Sequence, residues 1–149
     1  MSDDAAAALV RKWNATRGDY PRDHSVPALV AEQTARTPDA VAVVHGEQHL
    51  TYRALAARAA RLTGALRALG VTPGSCVGVF LERSPELITA LLGTLRAGAA
   101  YVPLAPSYPA QRLAFMAEDS GTSVVLTVKA LQHNVPDGVR TLLLDDPRT

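Results

Sequence analysis

Residues 76–104, CVGVFLERSPELITALLGTLRAGAAYVPL, decide how this chain folds. Cys76-Val77-Gly78-Val79-Phe80 is apolar without alternation, the pattern of a strand covered on both faces, and such cover is typical of parallel sheets. Ser84-Pro85-Glu86 follows as a helix start, with a capping hydroxyl, a proline at the first helical position and a carboxylate near the positive end of the helix dipole. Leu87, Ile88, Leu91, Leu92 and Leu95 form a stripe to bury, Gly98 ends the helix, and Ala100–Leu104 returns as a strand. Strand, helix and strand in so short a span make one crossover unit of an α/β sheet.

The same rhythm extends in both directions. Upstream, Tyr52, Leu55, Ala59, Leu62, Leu66 and Leu69 recur at steps of three and four. They predict a helix capped by Thr51, with Arg53, Arg58, Arg61 and Arg67 on its solvated side. Gly70 ends that helix, and Thr72-Pro73-Gly74-Ser75 reads as a tight turn. Before it, Val41–Val44 and His49–Thr51 flank His45-Gly46-Glu47-Gln48 as a small hairpin, and a helix capped by Ser25 runs to Thr37-Pro38. Downstream, Pro109 opens a helix through Leu113, Phe115 and Met116, Gly121 ends it, and Ser123–Thr127 is the next strand. Lys129–Asn134 reads as a short helix and Thr141–Leu144 as a last strand. The expected fold class is therefore α/β, an open and mostly parallel sheet with right-handed crossover helices. Residues 1–23 lack a sustained period and read as a linker-like arm, in which Ala5–Trp13 makes one or two helical turns, and residues 24–149 form the folded part.

The 149 residues suit one domain, and 48% hydrophobic against 19% charged residues suits a globular core. Fifteen basic residues against fourteen acidic ones give a net charge of +1, which offers no general attraction to nucleic acid or to an anionic membrane. The acidic opening is unlike a signal peptide, and no apolar run approaches the ~18 residues of a membrane span. One cysteine, Cys76, permits neither an internal disulfide nor a thiolate cluster, and a cytoplasmic setting is expected.

Candidate chemistry is sparse. Neither G-x-x-x-x-G-K-[ST] nor a G-x-G-x-x-G following a strand occurs. Gly74 and Gly78 lead into a strand, where glycine signals close backbone approach. His45 and His49 flank Glu47 in a hairpin turn without a third ligand, so no metal site is assigned. Ser84 stands between strand and helix, where hydrolases place a nucleophile, but its neighbours are Arg83 and Pro85, and a helix cap explains it. Cys76, among valines, reads as an inert core thiol. Glu82-Arg83 sits at the carboxyl end of the strand expected to be central, where open α/β sheets place ligands, although a solvated charge pair ahead of a cap is the favoured reading. No residue is assigned as catalytic, cofactor-binding or metal-binding.

Several segments, in this order, resemble the opening portion of a nonribosomal peptide synthetase adenylation domain, of the adenylate-forming ligase superfamily. They are TPDAVAVV (Thr37–Val44), LTYRAL (Leu50–Leu55), LERSPEL (Leu81–Leu87), LRAGAAYVPL (Leu95–Leu104) and SYPAQRLAFMAEDS (Ser107–Ser120). Trp13-Asn14-Ala15-Thr16 is similar to the linker that follows a condensation domain. The chain departs from the family pattern at Ala105, where an aspartate is usual and could accept backbone hydrogen bonds in the following turn. It departs again at Ala54, where an acid would complete a capping box with Thr51. The resemblance implies an adenylation subdomain cut short, inactive alone and binding no cofactor itself. The complete family domain uses ATP and Mg to make an aminoacyl adenylate, then loads a carrier-protein thiol. It implies that the phosphate loop, the pocket aspartate and the catalytic lysine lie beyond Thr149. The implied partners are the remainder of the domain, a condensation domain and a carrier protein, with self-association through uncovered faces, and neither nucleic acid nor membrane. The alternative it leaves is a non-catalytic docking or scaffold piece.

Overall fold

A computed structural model describes residues 3–146. In chain order the elements are helix α1 (Asp3–Trp13), α2 (Val26–Arg36), strands β1 (Val41–His45) and β2 (Gln48–Thr51), α3 (Tyr52–Ala68), β3 (Cys76–Val79), α4 (Pro85–Arg96), β4 (Ala100–Pro103), α5 (Ala110–Asp119), β5 (Val124–Thr127), a 3-10 helix (Lys129–Asn134) and β6 (Arg140–Leu143). β1 and β2 form an antiparallel hairpin, and the other four strands form a parallel sheet in the order β4-β3-β5-β6. The expected α/β class and crossover rhythm are what the chain adopts.

The caps fall where the hydroxyls predicted them. Ser25, Thr51 and Ser84 accept from the backbone N–H of Ala28, Ala54 and Leu87 at 3.4, 3.2 and 3.2 Å, each relieving one of the orphan donors of a helix start. The Thr51 bond forms even though Ala54 cannot return it. At Thr72–Ser75 the turn closes through Ser75 N–H to Thr72 O at 3.0 Å, with Gly74 at φ +88°. Gly74 thus serves by conformational freedom and not by close approach, since a Cβ there would meet nothing within 4 Å. Gly78 does sit in close contact, its place for a Cβ lying 3.0 Å from Leu104 and Val125 side chains. The turn after β4 is ordered without an acid at Ala105, because Tyr108 N–H donates to Ala105 O at 2.9 Å.

Strand alternation divides the core. Val77, Val79, Val124 and Leu126 point to one face of the sheet and pack with Leu62 and Leu66 of α3 and Ala90 of α4. Phe80 and Val125 point to the other and pack with Leu104, with Leu113 of α5, and with Leu131 of the 3-10 helix. A third cluster seats the hairpin, through Leu50, on Leu55 and Ala59 of α3 and Leu92 of α4.

Several sequence expectations are corrected. α1 is a full eleven-residue helix through Trp13, with Leu9, Val10 and Trp13 exposed. The hairpin turn is only Gly46-Glu47, and β6 begins one residue before the expected strand. Of the α4 stripe, Leu92 is buried, Leu87, Leu91 and Leu95 are half-buried and Ile88 is exposed. The positions buried along with Leu92 are Pro85, Thr89, Ala90, Gly93 and Thr94. The reason is that α4 lies against both the sheet and α3, and close approach of two helices favours small residues. Phe115 is likewise exposed, its place on α5 taken by Leu113 and Ala117. Cys76, at the start of β3, is half-buried and not deep in the core.

A Cβ on Gly93 would stand 2.8–3.1 Å from Cδ2, Cγ and Cβ of Leu62, and Thr63 Oγ1 donates to Gly93 O at 3.0 Å. The contact involves the stem of Leu62, so a side chain at position 93 must push α3 itself. Gly93→Val should therefore lower the unfolding free energy by about 1–3 kcal/mol. Gly64→Ala, on the open face of α3 where nothing lies within 4 Å, should raise it by about 0.5–1 kcal/mol. Urea titration of the two variants checks both signs.

Candidate functional site

In an open parallel sheet the crevice forms at the carboxyl ends of neighbouring strands whose onward connections run in opposite directions. Here those strands are β3, which leads to β4 on one side, and β5, which leads to β6 on the other. Their carboxyl ends are locked by two buried bonds: Phe80 N–H donates to Leu126 O at 2.9 Å, and Thr127 Oγ1 donates to Phe80 O at 2.8 Å. Phe80 and Thr127 are both fully buried. Beyond the lock the chain emerges as Glu82-Arg83 after β3 and Lys129 after β5, all three exposed. Lys129 N–H is held by the Asp145 carboxylate at 3.0 and 3.1 Å, which ties the start of the 3-10 helix to the chain leaving β6.

Beside this crest lies a cleft of about 440 Å³, lined by Arg58 and Arg61 of α3, Glu86 and Thr89 of α4, and Leu144 and Asp145 after β6. Arg58 Nη1 stands 3.7 Å from Glu86 Oε1, an exposed pair of small energetic weight. The cleft mixes both signs of charge over an apolar floor. Sequence reading placed Arg58 and Arg61 on the solvated side of α3, where they are. That they also border a cleft depends on α4 and on the chain after β6, which no local pattern reveals.

The other candidates are scattered. His45 and His49 stand on neighbouring rungs of the hairpin, opposite Gln48 and Val44, so their side chains leave opposite faces. No group of three metal-ligating side chains occurs among the described residues. Ser84 caps α4, and Cys76 lies at the amino end of β3, remote along the strand from the crest.

With this geometry in view, the comparisons with known proteins are decisive. Residues 30–148 match the family model described as AMP-binding enzyme. The chain belongs to the AMP-binding enzyme family. Within it, the chain is 42% identical over 146 residues to tyrocidine synthase 3 of Brevibacillus parabrevis, spanning 98% of this chain and 2% of that protein. The nonribosomal peptide synthetase FmoA3 superposes with a TM-score of 0.82 at 37% identity, covering 93% of this chain and 15% of the other. The N-terminal subdomain of Klebsiella oxytoca NpsA does so with a TM-score of 0.72 at 28% identity, covering 80% of this chain and 31% of that one. The chain is thus the N-terminal portion of a nonribosomal peptide synthetase adenylation domain, and it spans a small fraction of the relatives it matches.

In this AMP-binding family member, the Thr127 hydroxyl fixes the height at which β3 and β5 release their loops. Thr127→Val keeps the shape and leaves Phe80 O short of its donor, which should cost about 1–3 kcal/mol. It should also speed amide exchange at Leu81–Arg83, read by hydrogen-exchange mass spectrometry.

Proposed function

We propose that this chain is the scaffold part of an amino-acid-activating domain in secondary-metabolite peptide synthesis. On this reading the complete domain condenses an amino acid with ATP, assisted by Mg, into an aminoacyl adenylate, and passes the acyl group to a carrier-protein thiol. The observation that carries it is the joint match of fold and sequence to FmoA3 across 93% of the chain.

The chain's own share in that chemistry is positional. Phosphoryl and adenylyl transfer rest on oriented donors and cations around the phosphates, and these 149 residues contain neither usual phosphate loop. The crest offers exposed Arg83 on the loop after β3 and exposed Lys129 at the start of the 3-10 helix. The 149-residue chain is accordingly inactive alone and binds no nucleotide by itself. The single cysteine accords with a cytoplasmic setting. Pyrophosphate exchange into ATP, run with each of the common amino acids, should stay at the level of the protein-free blank. Amino-acid-dependent exchange well above it would overturn this reading.

A second reading, as a docking piece for a condensation domain, is favoured by α1. Its Leu9, Val10 and Trp13 are 38%, 51% and 68% exposed on a helix too short to be stable by itself. An immobilised condensation domain should retain the chain and lose it when Trp13→Ala and Leu9→Asp are combined. Equal retention of the double variant would refute a role for α1.

A further inference from the structure

Helix α3 carries four arginines, Arg53, Arg58, Arg61 and Arg67, and no acidic residue in its 17 positions. A solvated helix gains a little from opposite charges three or four residues apart, whereas Arg58 and Arg61 are like charges at that spacing, so the pattern does not serve the helix itself. Two of the four are answered from outside α3. The Asp39 carboxylate accepts from Nε and Nη2 of Arg53 at 3.0 and 3.1 Å, and Arg58 faces Glu86. Arg61, at the border of the cleft, and Arg67 belong to no ion pair among the described residues.

Two further arginines extend this face beyond the end of α3. Arg67 donates from Nη2 to Arg96 O at 3.3 Å across the α3–α4 contact, and Arg140, the first residue of β6, donates from Nη1 to Leu69 O at 3.2 Å. The bonds bring Arg67, Arg96 and Arg140 together at the pole of the sheet opposite the crest. All three are exposed, and Arg67 and Arg140 each spend one nitrogen and keep the rest of the guanidinium for a partner. Neither Arg96 nor Arg140 is in an ion pair among the described residues. Between the arginines the outward face of α3 is Ala57, Ala60, Gly64 and Ala68, all exposed, and a Cβ on Gly64 would meet nothing within 4 Å. The acids gather elsewhere: Glu118 and Asp119 close α5, and Glu118 and Asp137 line a groove on the α5 side of the sheet.

We propose that the outward face of α3 from Arg61 to Arg67, together with Arg96 and Arg140, docks an acidic helix of a partner polypeptide. Charge complementarity names the occupant, because guanidiniums hold carboxylates through paired N–H donors. At 1.5 Å of rise per residue, Arg61 and Arg67 stand about 9 Å apart along the axis, and a second helix can lie on the small residues between them while its carboxylates reach both. A lipid surface would require bulky apolar side chains beside the charges, and none is exposed on α3 from Arg61 to Arg67. A nucleic acid would draw on a charge excess over the whole chain, which a net +1 does not supply.

The test titrates the 149-residue chain into a labelled, capped alanine helix of about 20 residues with glutamates along one face, followed by fluorescence anisotropy at low and at physiological salt. Duplex DNA of similar charge forms a parallel arm. The expected result is saturable binding of the acidic helix that weakens about tenfold or more when Arg67→Gln and Arg96→Gln are combined, and again in Arg61→Gln, which breaks no ion pair among the described residues. Gly64→Gln adds bulk where the free chain has open space and favours the helix, so it should keep the circular dichroism spectrum and still weaken binding by a similar factor. Arg112→Gln, on α5, should bind as the unchanged chain does. Weakening by Arg112→Gln equal to that of the α3 variants, or full binding by Gly64→Gln, reduces the effect to unspecific charge attraction and overturns the proposal. Absence of binding overturns it too, as does tighter binding of the DNA.

Discussion

The pairing of β3 with β5 is the constraint from which the rest of the molecule follows. After β3 the chain moves to one side of the sheet to lay down β4, then returns across β3 to lay down β5 on the other. A parallel crossover usually carries a helix, and right-handed connections that run in opposite directions place their helices on opposite faces. That is why α4 shares a core with α3 and the even rungs of β5, while α5 shares one with Phe80 and Val125. Two covered faces in turn explain why β3 and β5 contain scarcely a polar side chain except Thr127, whose hydroxyl is spent on Phe80 O. The crest where ligands gather in such sheets is a by-product of the same reversal.

Covering one face with two helices imposes a second condition, on volume. α3 and α4 must pack on the sheet and on each other, and at their contact Gly93 meets the stem of Leu62 while Ala59 packs in one cluster with Leu92. The cost of a glycine inside a helix, about 1 kcal/mol relative to alanine, is accepted because any side chain there would force the helices apart. Thr63 turns that closeness into a bond to Gly93 O, and Arg67 adds one from its guanidinium to Arg96 O at 3.3 Å.

These two conditions separate what could be read in the sequence from what could not. Caps, glycine stops and doubly covered strands are written in three to five adjacent residues, and Ser25, Thr51, Ser84 and the 76–80 run were legible for that reason. The burial of α4 was not, because a leucine stripe marks one apolar face, and α4 has to satisfy two neighbours whose positions come from distant parts of the chain. Phe115 misled by the same logic, its size suggesting burial at a position that faces away from Leu113 and Ala117. The register irregularity between Val41 and Val43 also escaped, since VAVV shows no alternation to break. The candidate site was half legible: Glu82 and Arg83 were located at the crest from strand position alone, but the cleft beside Arg58 and Arg61 joins three segments far apart in sequence.

The apolar side chains left uncovered are not scattered at random, and their distribution bears on what kind of object this is. The parallel sheet and its helices bury their large side chains with few exceptions, Phe115, Ile88 and Tyr101 among them. Uncovered apolar residues are densest at the amino-terminal side: Leu9, Val10 and Trp13 on α1, Val26 and Leu29 on α2, Val41 and Val44 on β1. Single exposed aliphatics are ordinary on any protein, whereas a helix face and a sheet face of the same character are the marks of surfaces made to be met. The chain therefore has a self-sufficient half, closed by its two cores, and a dependent half, whose hairpin and leading helix have only part of their cover. Such an asymmetry accords with the proposed role of the chain as the scaffold part of a larger domain, in which the closed layer would hold its shape while other polypeptide covered the flank.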